Sequence, residues 1–382
     1  MKRVFSFMKH LNGSRASPRG GFPLGRGQAR TGIAFAFTRP ALACRPGIQE
    51  TIVSFSPLRR AVAALAAACA LPLASGAALA ADSDAFPSRP IRLLVGFAAG
   101  GSSDTVARIM APVLSKNLKQ NIIIDNRPGA GGNIASDALV KAAPDGYTIM
   151  LGTIGSLAVN QHLSKLSYDP VTDMEPISLA VSFSNVLVVN ANSKIKTFAD
   201  YIKAASAQRS DMSFGSSGIG SSGHLAGELL KSVAGLQNQH VAYRGGAPAM
   251  NDLLGGTLAS IFASPTDAVQ FIAAGKLRPI ATTGLRRLDV LPNVPTIAES
   301  GYPGFEANNW YAFTAPAHTP KAVIDVLNKA IVATLKDPDV DAKLKKLGLD
   351  PAPSTPAETD RYIRAESKKW GDLVKKININ AV

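Results

Sequence analysis

The chain has 382 residues, with 41 Lys and Arg against 27 Asp and Glu, a formal charge of +14. Spread evenly, that excess would suit a nucleic-acid or anionic-membrane partner, but residues 1–80 hold 11 of the basic residues and a single acid, Glu50, leaving 30 against 26 beyond Ala80. That remainder has no basic cluster interleaved with aromatics, and both cysteines, Cys44 and Cys69, precede it, which excludes disulfides and thiolate chemistry there.

Residues 1–50 are rich in Arg and Gly and show no period, as expected if the start codon is assigned too early and initiation lies near Val53 or Leu58. Pro57-Leu58-Arg59-Arg60 then precedes an uncharged, Ala-rich run that closes on Ala78-Leu79-Ala80. A basic start, an apolar middle and an A-x-A end predict a secretory signal cut after Ala80. The run is long enough to span a bilayer, but Pro72, Gly76 and the many alanines make it a poor anchor. The roughly 300 residues that follow are expected to be exported, soluble and divided into two lobes.

Ile91–Phe97 reads as a strand, and Val106, Ile109, Met110, Val113 and Leu114 recur at helical spacing, with Pro112 as a possible kink. Asn121–Asp125 predicts a short buried strand, 126–132 a turn-rich loop, Ala135–Ala142 a helix and Tyr147–Gly152 another strand. This alternation predicts an α/β fold with largely parallel sheets. Leu187–Asn190 is a further strand, and Thr197–Ala207 a helix capped by Thr197 with Asp200 three residues on. Met212–Phe214 leads into the Gly/Ser stretch 215–223 and a helix from His224. Gln239–Tyr243, Leu258–Ala263 and Leu277–Thr282 supply more strands. Thr319-Pro320 predicts a capped helix through Leu335, Lys343, Lys345 and Lys346 line another, and Thr355-Pro-Ala-Glu358 is a capping box for a last helix through Trp370.

Two units run strand, Gly/Ser loop, helix: FAAGGSSD at 97–104 and GSSGIGSSGH at 215–224. Such loops present backbone N–H groups and a helix N-terminus to an anion. Asp104 is expected to cap and orient N–H groups. A phosphate loop needs a lysine that does not follow Gly101, and the literal G-x-G-x-x-G at Gly218–Gly223 lacks the acidic residue after the next strand. Ser221, Ser222 and His224 are neighbours that could serve a hydrolase, but no G-x-S-x-G elbow exists. His162, His240 and His318 show no metal-ligand spacing, and no cofactor is indicated. Arg244 ends a strand where it could pair with a ligand carboxylate or with a surface acid. Ser264-Pro265-Thr266-Asp267, beyond another strand, is expected to turn its hydroxyls to the same cleft.

IDNRPGAGGNIASD, APDGYTIMLGT, SSGIGSSGHLAGELL, AYRGGAPAMNDLLGG, GKLRPIATTGLRR, LPNVPTIAESGYPGFE and WYAFTAPAHTP follow FAAGGSSD in this order. Over about residues 86–375 the chain resembles the Bug receptors, the substrate-binding proteins of tripartite tricarboxylate transporters. The resemblance implies a periplasmic-binding-protein fold of the type II kind, with two mostly parallel α/β lobes hinged around a small carboxylate. It places lobe one in 81–184 and 285–382 and lobe two in 185–284. It implies ligand contacts from Ala99, Gly100, Gly101, Ser102, Ser103 and Asp104 in lobe one, with Thr153 and Ser156 at a strand end. From lobe two it implies Ser217, Gly218, Gly220, Ser221, Ser222 and His224, then Arg244, Gly245, Gly246, Ala247 and Ser264. Arg244 stands where that family often has lysine. Ser264 stands where it often has an aspartate able to read an amino group, which weakens an amino-acid ligand. The expected function is a monomeric periplasmic receptor that delivers an organic acid to inner-membrane transporter subunits; a solute sensor and a serine hydrolase are the alternatives.

Overall fold

The computed structural model describes residues 86–207 and 212–377; the expected leader and cleavage site and both cysteines lie outside the described residues. Among the described residues, no helix is long and apolar enough to cross a membrane. The chain forms β1 (Ile91–Val95), α1 (Ser102–Leu118), β2 (Ile122–Asn126), α2 (Asn133–Val140), β3 (Thr148–Thr153), a π turn (Gly155–Val159) running into α3 (Asn160–Leu163), and β4 (Met174–Ser184). It continues through β5 (Val186–Asn190), α4 (Phe198–Ala205), β6 (Ser213–Ser216), α5 (Ser222–Ala234), β7 (Gln239–Ala242), α6 (Gly246–Gly255), β8 (Ser260–Ala263), α7 (Pro265–Ala273) and β9 (Leu277–Thr282). It ends with β10 (Asn308–Pro316), α8 (Lys321–Leu335), α9 (Pro338–Lys346), β11 (Asp350–Pro351) and α10 (Pro356–Ile377).

Two sheets result, in the orders β11-β4-β10-β3-β1-β2 and β7-β6-β8-β5-β9. The interior strand β1, with helices on both sides, is almost wholly apolar and buried, as a central parallel strand must be. The expectation of mostly parallel sheets holds for only part of each. β2, β1 and β3 pair parallel, as do β7, β6 and β8, whereas β10, β4 and β11 and the pair β5 and β9 run antiparallel. The antiparallel strands include those that carry the chain between sheets: β4 passes directly into β5, and β9 returns toward β10. These crossings are tied together, Asn185 N donating to Thr283 Oγ1 at 2.9 Å and Thr283 N to Asn185 O at 3.0 Å. Paired crossings of this kind form a natural hinge.

Other local expectations also shift. β2 is not buried: it is an edge strand, and Ile123 is 54% exposed. β4 and β10 are long strands that the alternation pattern passes over, since Pro176 and interspersed serines break β4, and β10 is buried along nearly its whole length. Thr319 does not cap α8; its hydroxyl donates back to Pro316 O at 2.7 Å, and Pro320 itself occupies the cap position. Both capping boxes form, at Thr197/Asp200 and at Thr355/Glu358, and α10 runs beyond Trp370 to Ile377. Thr355→Ala should cost about 1 kcal/mol of stability, measurable as a lower denaturation midpoint with unchanged m-value.

The C-terminal helices lie on the first sheet. Asn117 Nδ2 on α1 donates to Thr334 Oγ1 on α8 at 3.0 Å, and Gln161 Nε2 on α3 donates to Ser367 Oγ on α10 at 2.6 Å. One apolar cluster extends from Leu139, Met150 and Leu157 to Phe214, Leu225 and Phe262, so the two lobes share a buried seam beside the hinge.

Candidate functional site

A small cavity of about 50 Å³ lies between the two lobes. Four helices begin at its wall: α1 at Ser102, α5 at Ser222, α6 at Gly246 and α7 at Pro265. The residues before α1, α6 and α7, namely Gly101, Gly245 and Ser264, make no side-chain cap. Uncapped first turns leave backbone N–H groups without intrahelical partners, and each dipole favours an anion by about 0.3–1 kcal/mol, more when partly buried. Ser103 Oγ and Asn185 Nδ2 are buried in this wall with no hydrogen-bond partner among the described residues. Asn185 Oδ1 is already engaged, accepting from Ser222 Oγ at 3.3 Å. Among the described residues, no Lys, Arg or His lines the cavity. It can therefore hold an anion through neutral donors and dipoles.

Of the residues singled out from sequence, the cavity wall brings together Gly101, Ser102, Ser103 and Thr153 from the first lobe. From the second it gathers Ser217, Ser221, Ser222, Gly245, Gly246, Ala247 and Ser264. Eight others stand elsewhere. Ala99, Gly100 and Asp104 line a shallow hollow on the outside of α1. Asp104 locks the loop from there: Oδ2 accepts from Gly100 N at 2.8 Å and Arg108 Nε at 2.7 Å, and Oδ1 from Asn126 Nδ2 at 3.1 Å. Burial opposes its charge, but these donors outweigh burial and hold the carboxyl below its ordinary pKa. Ser156 turns inward, its hydroxyl donating to Thr153 O at 3.3 Å. Gly218 and the exposed Arg244 line a second hollow of about 320 Å³, which shares Phe97 and Ser217 with the cavity. Arg244 forms no salt bridge among the described residues, so its guanidinium is available at that mouth.

Gly220 and His224 shape the loop from behind. Gly220 N donates to His224 Nδ1 at 3.1 Å, and the imidazole stacks on His240 with ring centroids 4.2 Å apart. Burial, with Lys231 adding repulsion, pushes His224 down to about 4, and burial, His224 and Lys231 push His240 down to about 3, so both are neutral near pH 7. Ser221 Oγ donates to Gly218 O at 2.6 Å and Ser222 Oγ to Asn185. The hydroxyls and the imidazole thus have separate partners rather than forming a nucleophile–base pair.

The wall also includes Phe97, Asn185, Met250, Asp267, Asn309 and Tyr311. The buried Tyr311 hydroxyl has Ser102, Ser264 and Asn309 around it, and burial pushes its pKa upward. Asn185 sits at the crossing between β4 and β5, and Asn309 and Tyr311 lie on β10. None of these strand positions carries a local sequence signal for a site. Asp267 was visible only as the end of a loop whose hydroxyls were expected to face the cleft.

Residues 106–379 match the family described as TctC, the tripartite tricarboxylate transporter family receptor. The chain is 38% identical over 316 residues to a UPF0065 protein of Pseudomonas sp. strain P51 encoded in the tcbD-tcbE intergenic region, covering 82% of this chain and 94% of that one. Its fold matches the periplasmic binding protein BugD at 34% identity with a TM-score of 0.74, covering 77% of this chain and 99% of that one. It matches R. palustris Rpa4515, solved with adipate, at 35% identity with a TM-score of 0.75 and the same coverage. Two α/β lobes about a hinged, anion-favouring cavity and a family match over most of the chain agree: this protein belongs to the tripartite tricarboxylate transporter receptor family, as a substrate-binding receptor.

Proposed function

We propose that the protein captures a small organic carboxylate between its lobes in the periplasm and hands it to an inner-membrane permease of the tripartite tricarboxylate class. The observation that carries this reading is the convergence of four helix N-termini on one inter-lobe cavity whose buried Ser103 and Asn185 donors lack partners among the described residues. A carboxylate there satisfies both, each charge-assisted bond contributing about 1.5–3 kcal/mol. The adipate in Rpa4515 supports the ligand class, and BugD, a periplasmic binding protein, supports the compartment. The protein holds its ligand rather than transforming it, since Ser221, Ser222 and His224 serve the loop's own hydrogen bonds.

Calorimetric titration of the purified protein with a panel of mono-, di- and tricarboxylates, aromatic acids and nicotinate should give saturable binding for at least one member. Asn185→Ala should weaken that ligand about tenfold or more, the loss of one charge-assisted bond. A panel without any saturable response would sink the carboxylate reading. Chemical change in the recovered ligand would favour an enzyme instead.

A further inference from the structure

We propose that Asp267 is a specificity-determining residue of the inter-lobe cavity, accepting a hydrogen bond from a hydroxyl or ammonium group that the captured carboxylate carries beside its anionic end. The inference rests on the reading of this cavity as the ligand site. Asp267 occupies the first turn of α7 and lines the cavity together with Ser103 and Gly246. By exposure the residue is half-buried, with protein packed closely around its carboxyl. Its one side-chain bond is from Thr266 Oγ1 to Oδ1 at 3.5 Å, the outer limit of such contacts. Oδ2 lies against the start of α6, where a Cβ on Gly246 would collide with it.

Among the described residues no cation pairs with this carboxyl: where Gly348 and Val290 close on Pro265 of α7, Lys345 pairs with Asp341, Arg286 with Asp289 and Asp350, and Arg287 with Glu299. On α1, Arg108 is committed to Asp104, and Lys116 lies exposed in the last turn. On α6, Asp252 accepts from the Tyr243 hydroxyl at 2.7 Å. On β9, Arg278 donates to the carbonyls of Ala191, Ser193 and Ile195. β5 carries no charged residue, and the phenol of Tyr311 is the titratable neighbour across the cavity. A buried carboxylate without a close donor is costly and tends to neutralise, and burial, only partly offset by the long Thr266 bond, pushes Asp267 up to about 7. A second carboxylate placed beside it would meet like charge. A hydroxyl or ammonium would supply the missing donor and favour the ionised form. The cavity is therefore two-ended, with helix N-termini for an anion and Asp267 for a donor.

A donor ligand selects ionised Asp267, so binding releases protons and tightens as pH rises through about 7, by about tenfold between pH 6 and pH 8. The test titrates the whole protein with unbranched four- to six-carbon diacids, their ω-hydroxy and ω-amino counterparts, and succinate against malate and aspartate. The expected result is that a hydroxy or amino member binds at least tenfold tighter than the diacid of equal length, and tightens from pH 6 to pH 8. Hydroxy-only or amino-only preference assigns the donor. In Asp267→Asn, with Asp267→Ser as a second variant should the first not fold, the pH dependence disappears and the diacid is no longer disfavoured. A diacid that binds as tightly as its donor-bearing counterparts, or binding that weakens as pH rises, overturns the role of Asp267 while leaving carboxylate capture standing. Silence across the whole series defeats both.

Discussion

Gly155→Ala is expected to weaken ligand binding by about 5- to 100-fold while leaving the melting temperature of the ligand-free protein nearly unchanged. Gly155 opens the π turn after β3 in the first lobe, and a Cβ there would lie 2.8 Å from Gly220 O in the second. Gly131 faces the same loop, its Cβ position 2.6 Å from Ile219 O, and the Cβ position of Gly220, at φ +76°, is filled by Asn160 Oδ1. Gly155 and Gly131 thus let the lobes meet backbone against backbone beside the cavity, and Gly220 leaves room for the Asn160 side chain. An added methyl meets a carbonyl only when the lobes are together, so its cost, about 1–3 kcal/mol for overpacking, falls on the closed state alone. Ligand held between closed lobes then loses affinity by that amount, at tenfold per 1.4 kcal/mol. Calorimetry gives the affinity, thermal denaturation the stability, and small-angle scattering the lobe separation with ligand present. An unchanged affinity would show that these contacts do not belong to the bound state.

Gly223→Ala should act differently, lowering stability by about 1–3 kcal/mol and removing measurable binding. Gly223 lies in the first turn of α5, and a Cβ would collide with the main-chain carbonyl of Phe262 in β8. A ladder carbonyl between β6 and β5 cannot step aside as a side chain can. One turn on, Gly227 meets the buried Phe214 ring in the same way, so this face of α5 rides directly on the sheet. The helix must therefore lift, carrying Ser221, Ser222 and its N-terminal N–H groups away from the cavity. Loss of binding with loss of stability separates this variant from Gly155→Ala, where binding alone is lost. A variant of full stability and full affinity would mean that α5 need not lie so close.

The second hollow gives Arg244 a distinct place in this scheme. It adjoins the cavity through Phe97 and Ser217, so a longer acid could extend its far end toward the exposed guanidinium. Position at the mouth suits steering of anions more than tight holding, because solvent screens a charge there.

Local interactions account for what was legible in the sequence by itself. The capping boxes at Thr197 and Thr355 need only residues three apart, and both form. The two strand–loop–helix units need a strand period, small residues and a helix period, and they put Ser102, Ser103, Ser221 and Ser222 on one cavity wall. What only the tertiary structure decided depends on which side of an element faces which neighbour. Asp104 and Ser103 are adjacent, yet the turn of α1 points one at Arg108 and leaves the other in the wall. β4 and β10 were not evident because their burial comes from antiparallel partners far along the chain. Those strands, with the crossing at Asn185, bring Tyr311 and Asn309 to the site. Asp267 acquires its character from enclosure by α6, α7 and β10, since a carboxyl's pKa is set by its surroundings and not by its own residue type.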